Sequence, residues 1–183
     1  MTLLSTLLRI KRLREAGGVI RCHTLSQINL GSYTVGAHSW NVVVLLLALH
    51  PNPSPELMKA CLFHDVAERW LGDIPAPALW RDPLLGEVHG RLEREIMKNL
   101  GAETNLSPEE KLWLEHLDRL DFFLWCEDQI LLGNRNMEPV RDGVLARFKN
   151  LGAAVPAPIR EVVLGVDGFY RQTTGWPESP ADP

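Results

Sequence analysis

The chain is poor in cysteine, in long apolar runs and in positive charge. Its 183 residues include three cysteines, Cys22, Cys61 and Cys126, far apart and without a CxxC pair. An odd, scattered set argues against a disulfide framework and fits a reducing cytosol. The longest apolar run, VVVLLLAL at 42–49, falls far short of the ~20 residues that cross a bilayer. Nineteen Lys and Arg stand against 23 Asp and Glu, for a net charge of −4. A protein that coats polymeric nucleic acid draws its affinity from neutralising phosphates, so this balance excludes that class and leaves a small anionic ligand open. The opening MTLLSTLLRIKRLREAGG is apolar first and basic afterwards, the reverse of a secretory signal. These features predict a soluble, cytoplasmic protein with no membrane partner.

What is present is ordinary for a globular chain: 45% hydrophobic residues, 23% charged and six tryptophans. The length predicts one domain, residues 1–173, with a core of real size, followed by a Pro-rich, disordered tail at 174–183. Helical periodicity dominates and no βαβ alternation or internal repeat appears, which predicts an all-α bundle of about six to seven helices. Leu3, Leu4, Leu7, Leu8 and Ile10 make a first stripe, ended by Ala16-Gly17-Gly18. Residues 19–37 read as a loop, and 38–50 as a buried helix beginning at His38. Ser54 and Pro55 open a helix expected to reach about Leu71. A proline-stiffened loop is expected over 72–79, then a helix over 83–100 ended by Gly101. Ser107, Pro108 and Glu110 open a long helix to about 133, close to a capping box. Helices over about 138–151 and 156–173 complete the series.

The stretch CLFHDVAERWLGDIP at 61–75 sets His64, Asp65, Glu68 and Asp73 inside or just beyond an apolar run. Buried charges need partners, which here are each other, a metal ion or a substrate. On a helix, Glu68 would border the point that His64 and Asp65 both reach, and Asp73 would close it from the following loop. His38 and Asp118 are offered by two other helices. Neutral imidazoles and carboxylates are the ligands of zinc, manganese, iron or cobalt. Each residue alone has an ordinary explanation: His38 as a helix cap, Asp118 paired with Arg119 or Lys111, Glu68 as solvated surface. Their joint pattern is what carries weight.

That pattern resembles the HD-domain metal-dependent phosphohydrolases, and within them the compact bacterial and phage 5′-deoxynucleotidases. The branch reads R-W…EHS, HD-x-x-E-x-x-x-GD-[IL]-P-x-P and A-D-x-L-E; here the matching strings are RC at 21, AHS at 37, HDVAERWLGDIPAP at 64 and LDRLD at 117. The resemblance covers roughly residues 1–135. It implies His38, His64, Asp65 and Asp118 as ligands of one divalent transition metal, Asp118 being preferred to Asp121. It implies Glu68 and Asp73 as catalytic carboxylates, and Arg21 as a contact to the substrate phosphate, with magnesium able to accompany that phosphate. Where the branch has Trp after its Arg this chain has Cys22, and the loop from Arg21 to His38 is two residues longer. A smaller wall against a 2′-hydroxyl implies weaker selection for deoxynucleotides, unless His23 fills the space. Leu79 and Ala37 replace a Lys and a Glu common in the branch.

The function expected from this resemblance is hydrolysis of the 5′-phosphate ester of (deoxy)nucleotides to release a nucleoside. Two alternatives stand beside it. One is a phage-type dATP or dNTP triphosphohydrolase releasing the polyphosphate, which uses the same layout. The other is a non-catalytic nucleotide sensor, which would not need both Glu68 and Asp73. A homo-oligomer is also expected: the long helix carries more apolar surface than one ~100° stripe holds, which equally fits a helix central to the monomer.

Overall fold

The structure is a computed structural model that describes residues 3–22 and 33–169. It is all-α: helices α1 (Leu3–Ala16), α2 (Val35–Leu49), α3 (Pro55–Phe63), α4 (Glu68–Leu71), α5 (Ala76–Arg81), α6 (Pro83–Leu100), α7 (Pro108–Leu131), α8 (Glu138–Leu151) and α9 (Ala157–Phe169) follow in order. No strand occurs among the described residues, only an isolated antiparallel bridge between Ile20 and Thr34. The tail expected at 174–183, and the last residues of the helix expected over 156–173, lie outside the described residues.

Three expected boundaries differ from those observed. The helix opened by Pro55 does not run to Leu71; it stops at Phe63, and residues 64–67 form turns before α4. Helix α2 begins three residues before His38, because Thr34 is its cap and accepts a hydrogen bond from the Ala37 N–H at 3.2 Å. Part of the expected 72–79 loop is the short helix α5, with a proline in its first turn, where a missing N–H costs nothing. Nor is α2 buried all round. Val42 and Leu46 are fully buried, whereas Trp40 is 67% and Leu47 57% exposed.

The chain divides into two compact units, residues 1–122 and residues from 123 onward. In the first, Ala16, Val66, Leu100 and Ala102 form a buried cluster with Leu13, Phe63, Ile96 and Met97 against it. That cluster ties the end of α1, the 64–67 turn and the end of α6 together. Leu117 and Leu120 of α7 are fully buried. The start of α7 is a reciprocal capping box: Ser107 accepts from the Glu110 N–H at 3.2 Å, and Glu110 accepts from the Ser107 N–H at 2.8 Å. In the second unit, Phe123 meets Phe148 edge to face at 6.3 Å, and Met137 and Ile159 are fully buried.

Candidate metal centre

Every described site residue predicted from the sequence falls in the first unit. Its framework is a close backbone crossing between the segment after α1 and the start of α2. The Arg21 N–H donates to the Tyr33 carbonyl at 2.8 Å, the Val35 N–H to Val19 at 2.9 Å and the Gly36 N–H to Gly17 at 3.0 Å. A Cβ on Gly36 would stand 2.9 Å from the Gly17 carbonyl oxygen. Only glycine allows this approach, and it brings Arg21, Tyr33 and His38 to one side of the fold.

The break after α3 supplies the next pair. His64 caps that helix and Asp65 lies in the turn that follows, and both approach His38 of α2, at 3.1 Å and 3.5 Å. Glu68 opens α4. Gly72 ends it with φ of +76°, a conformation side chains rarely adopt, and the chain reverses to place Asp73. Asp118 comes from α7.

Both imidazoles have their Nδ1 atoms engaged. His38, wholly buried, has Nδ1 2.6 Å from Asp121 Oδ2, and His64 has Nδ1 3.0 Å from the Cys61 carbonyl oxygen. With each Nδ1–H donated to an oxygen, each Nε2 carries a lone pair, and the two Nε2 atoms face each other at 3.1 Å. Two lone pairs so placed repel unless a cation lies between them. The carboxylates complete the group. His38 Nε2 is 3.1 Å from Asp118 Oδ1 and 3.5 Å from Asp65 Oδ2, and His64 Nε2 is 3.3 Å and 3.9 Å from Asp65 and Asp118. One ligand atom from each of His38, His64, Asp65 and Asp118 lies within 4.8 Å of all the others. Ligand atoms about 2.0–2.2 Å from one ion stand about 3–3.5 Å apart when adjacent. The donor set therefore fits a divalent metal. Burial, with His38 adding to it, pushes the His64 imidazole below its ordinary value against the pull of Asp118, which favours the neutral, ligating form.

The motif LDRLD left two aspartates to choose from, and the structure separates them. Asp118 faces the Nε2 side of His38; Asp121 takes the Nδ1 side.

Arg21, Glu68 and Asp73 line the other side. Arg21 pairs with Asp65, lies 3.5 Å from Glu68 and 3.7 Å from Asp118, and stacks over the Tyr33 ring at 5.4 Å. Burial, reinforced by Asp73 and opposed by Arg21, pushes the Glu68 carboxyl up to about 7. Its Oε2 is buried without a hydrogen-bond partner among the described residues. Asp73 accepts a hydrogen bond from the Cys22 N–H, and Cys22 holds a left-handed φ of +56°. Burial, then Asp73, pushes the Cys22 thiol up to about 11, so it is a neutral wall residue at physiological pH. His23, the other expected substrate contact, lies outside the described residues. Sequence reasoning missed Tyr33 altogether and considered Asp121 only as a rival ligand; the i, i+3 spacing of Asp118 and Asp121 was the signal available.

An all-α fold carrying a partly buried His/Asp cluster able to hold a divalent metal is the class these observations define. Residues 21–119 match the HD domain family, more than half of the chain, and the chain belongs to that family, whose members are generally hydrolases. A solved structure, the PH0347 protein from Pyrococcus horikoshii OT3, is similar in fold with a TM-score of 0.68 at 19% identity, over 87% of this chain and 97% of that one. No curated protein matches. No helix among the described residues is long and apolar enough to cross a membrane.

Proposed function

We propose that the protein is a metal-dependent phosphohydrolase that cleaves the 5′-phosphate ester of deoxynucleotides and releases the nucleoside. The observation that carries this reading is the pair of Nε2 atoms facing each other between Asp65 and Asp118, with a buried oxygen of Glu68, unpartnered among the described residues, on the neighbouring wall. A divalent metal held by His38, His64, Asp65 and Asp118 would supply Lewis acidity to a phosphoryl oxygen and lower the pKa of water.

The chain's own residues supply the rest. Glu68, raised to about 7, suits proton abstraction from an attacking water near neutral pH. Asp73 on the same wall, its carboxylate oriented by the Cys22 N–H, can relay a proton from water to the leaving 5′-oxygen. Arg21 is charged at any physiological pH and presents a planar fork suited to phosphate oxygens. On substrate binding it exchanges its contacts to Asp65 and Glu68 for the phosphate. Cys22 stands where a 2′-hydroxyl would approach, and its small side chain predicts modest discrimination between dAMP and AMP.

The test is hydrolysis of dAMP, AMP and dATP with manganese, cobalt or zinc present. Release of inorganic phosphate from dAMP, with weaker release from AMP, is the expected result. Release of triphosphate from dATP alone would replace the monophosphatase reading with a triphosphohydrolase. Hydrolysis of none of them at full metal content would leave a sensor. The exposed apolar side of α2, with Trp40, Val44 and Leu47 three to four residues apart, supports a homo-oligomer, which light scattering checks.

A further inference from the structure

Tyr33 and Asp121 lie behind His38, on the side away from the proposed ligand position. The Asp121 carboxylate is 3% exposed and Tyr33 2% exposed. A single oxygen, Asp121 Oδ2, accepts from His38 Nδ1–H at 2.6 Å and from the Tyr33 hydroxyl at 3.0 Å. The Tyr33 oxygen is also 3.0 Å from His38 Nδ1, which closes a triangle. Since the hydroxyl proton and the Nδ1 proton both have Asp121 as acceptor, the third edge is a contact that fixes distance. The rings of Tyr33 and His38 meet edge to face, at 5.7 Å and 74°. The imidazole is thereby restrained in tilt by Tyr33 and in rotation by Asp121.

A buried carboxylate with two donors is costly to maintain unless its charge is used. Here it faces a histidine whose other nitrogen points at Asp118 and His64. A carboxylate accepting from one imidazole nitrogen fixes the tautomer and makes the other nitrogen a better donor to a metal. Behind the Nδ1 of His64, by contrast, stands a backbone carbonyl, that of Cys61, and no carboxylate among the described residues. The two histidines are therefore unequal, and His38 is the stronger donor.

We propose that Asp121 and Tyr33 are positioning residues for the metal centre: Asp121 holds His38 in the Nδ1–H tautomer and raises its donor strength, and Tyr33 holds Asp121. The inference rests on the metal-site reading. It assigns a role to residues outside the proposed ligand set, and Asp121 lies beyond the residues that match the family.

Zinc affinity of the full chain, measured by competition with a chromophoric chelator, tests it together with the melting temperature of each metal-free protein. Asp121→Asn keeps the shape and removes the charge, and should weaken zinc binding about tenfold; Asp121→Ala should approach the upper end of the 10- to 100-fold range for such partners. Tyr33→Phe, which leaves the carboxylate in place, should lose less than either. The expected signature is that order, with the metal-free melting temperatures of Asp121→Asn and Tyr33→Phe staying close to that of the unaltered protein. If Asp121→Ala does not fold, the other two variants decide. Unchanged zinc affinity in both overturns the inference, as does a loss that appears only with a collapse of metal-free stability. An unaltered protein that binds no zinc, manganese or cobalt would instead remove the metal-site reading itself.

Discussion

The two walls of the site differ in how completely their polar atoms are used. Behind the histidines, His38, Tyr33 and Asp121 are all but fully buried and bonded to one another, and His64 is fixed by a carbonyl. On the opposite wall, Glu68 is raised to about 7 and keeps a buried oxygen without a partner among the described residues. Cys22 there holds a strained backbone to reach Asp73. A saturated wall is what a fixed ligand geometry needs. An unsaturated wall costs stability and remains available to water and substrate, the usual trade at an active site. The contrast assigns holding to one side and chemistry to the other.

The largest effects should come from substituting the open wall. Glu68→Gln or Asp73→Asn should lower turnover by about 10²–10⁴, the range for losing a general acid or base, while metal content stays at that of the unaltered protein. Loss of metal in either variant would erase the distinction between the walls. The framework that holds them together is the next target. A Cβ at Gly36 meets the Gly17 backbone at 2.9 Å, so Gly36→Ala should cost about 1–3 kcal/mol. At roughly 2–4 °C per kcal/mol for a chain of this size, calorimetry will resolve it. Gly143→Ala in α8 meets nothing within 4 Å among the described residues and should instead stabilise by about 0.4–1 kcal/mol.

The pH dependence of stability sharpens the comparison further. Glu68 titrates higher in the fold than its ordinary 4.5, at about 7, so the folded state favours its protonated form. The contribution of protonated Glu68 to the stability of the metal-free protein is therefore full below about pH 4.5, is lost as pH rises through about 7 and is absent above that. Glu68→Gln removes this term. The variant should match the unaltered protein below pH 4.5 and exceed it at pH 8, by on the order of 1–3 kcal/mol. Urea unfolding at the two pH values reads the difference directly, and equal stability at pH 8 would contradict the assigned burial of Glu68.

Much of the site was legible because its residue types are costly where they stand. His64, Asp65, Glu68 and Asp73 interrupt an apolar run, and the structure brings His64 and Asp65 together with His38 and Asp118. Helical spacing put a point between the directions of His64 and Asp65 that both reach, bordered by Glu68; the two do converge, but from the end of a helix that stops at Phe63 and the turn that follows it. Nothing in Val66-Ala67-Glu68 breaks a helix locally; packing of Val66 and Phe63 against Ala16 and Leu100 accompanies the turn, and such contacts are invisible to periodicity. Helix α5 was hidden for the opposite reason, since prolines read as loop even where the first turn tolerates them. Tyr33 and Asp121 are 88 positions apart, and only the fold brings the Asp121 carboxylate between Tyr33 and His38.

The central claim is that the saturated wall holds one divalent metal, and elemental analysis of the purified protein beside Asp65→Ala tests it most directly. One transition metal per chain is expected in the unaltered protein, and little or none in a folded Asp65→Ala variant that has also lost hydrolysis. Full metal content in correctly folded Asp65→Ala would contradict it.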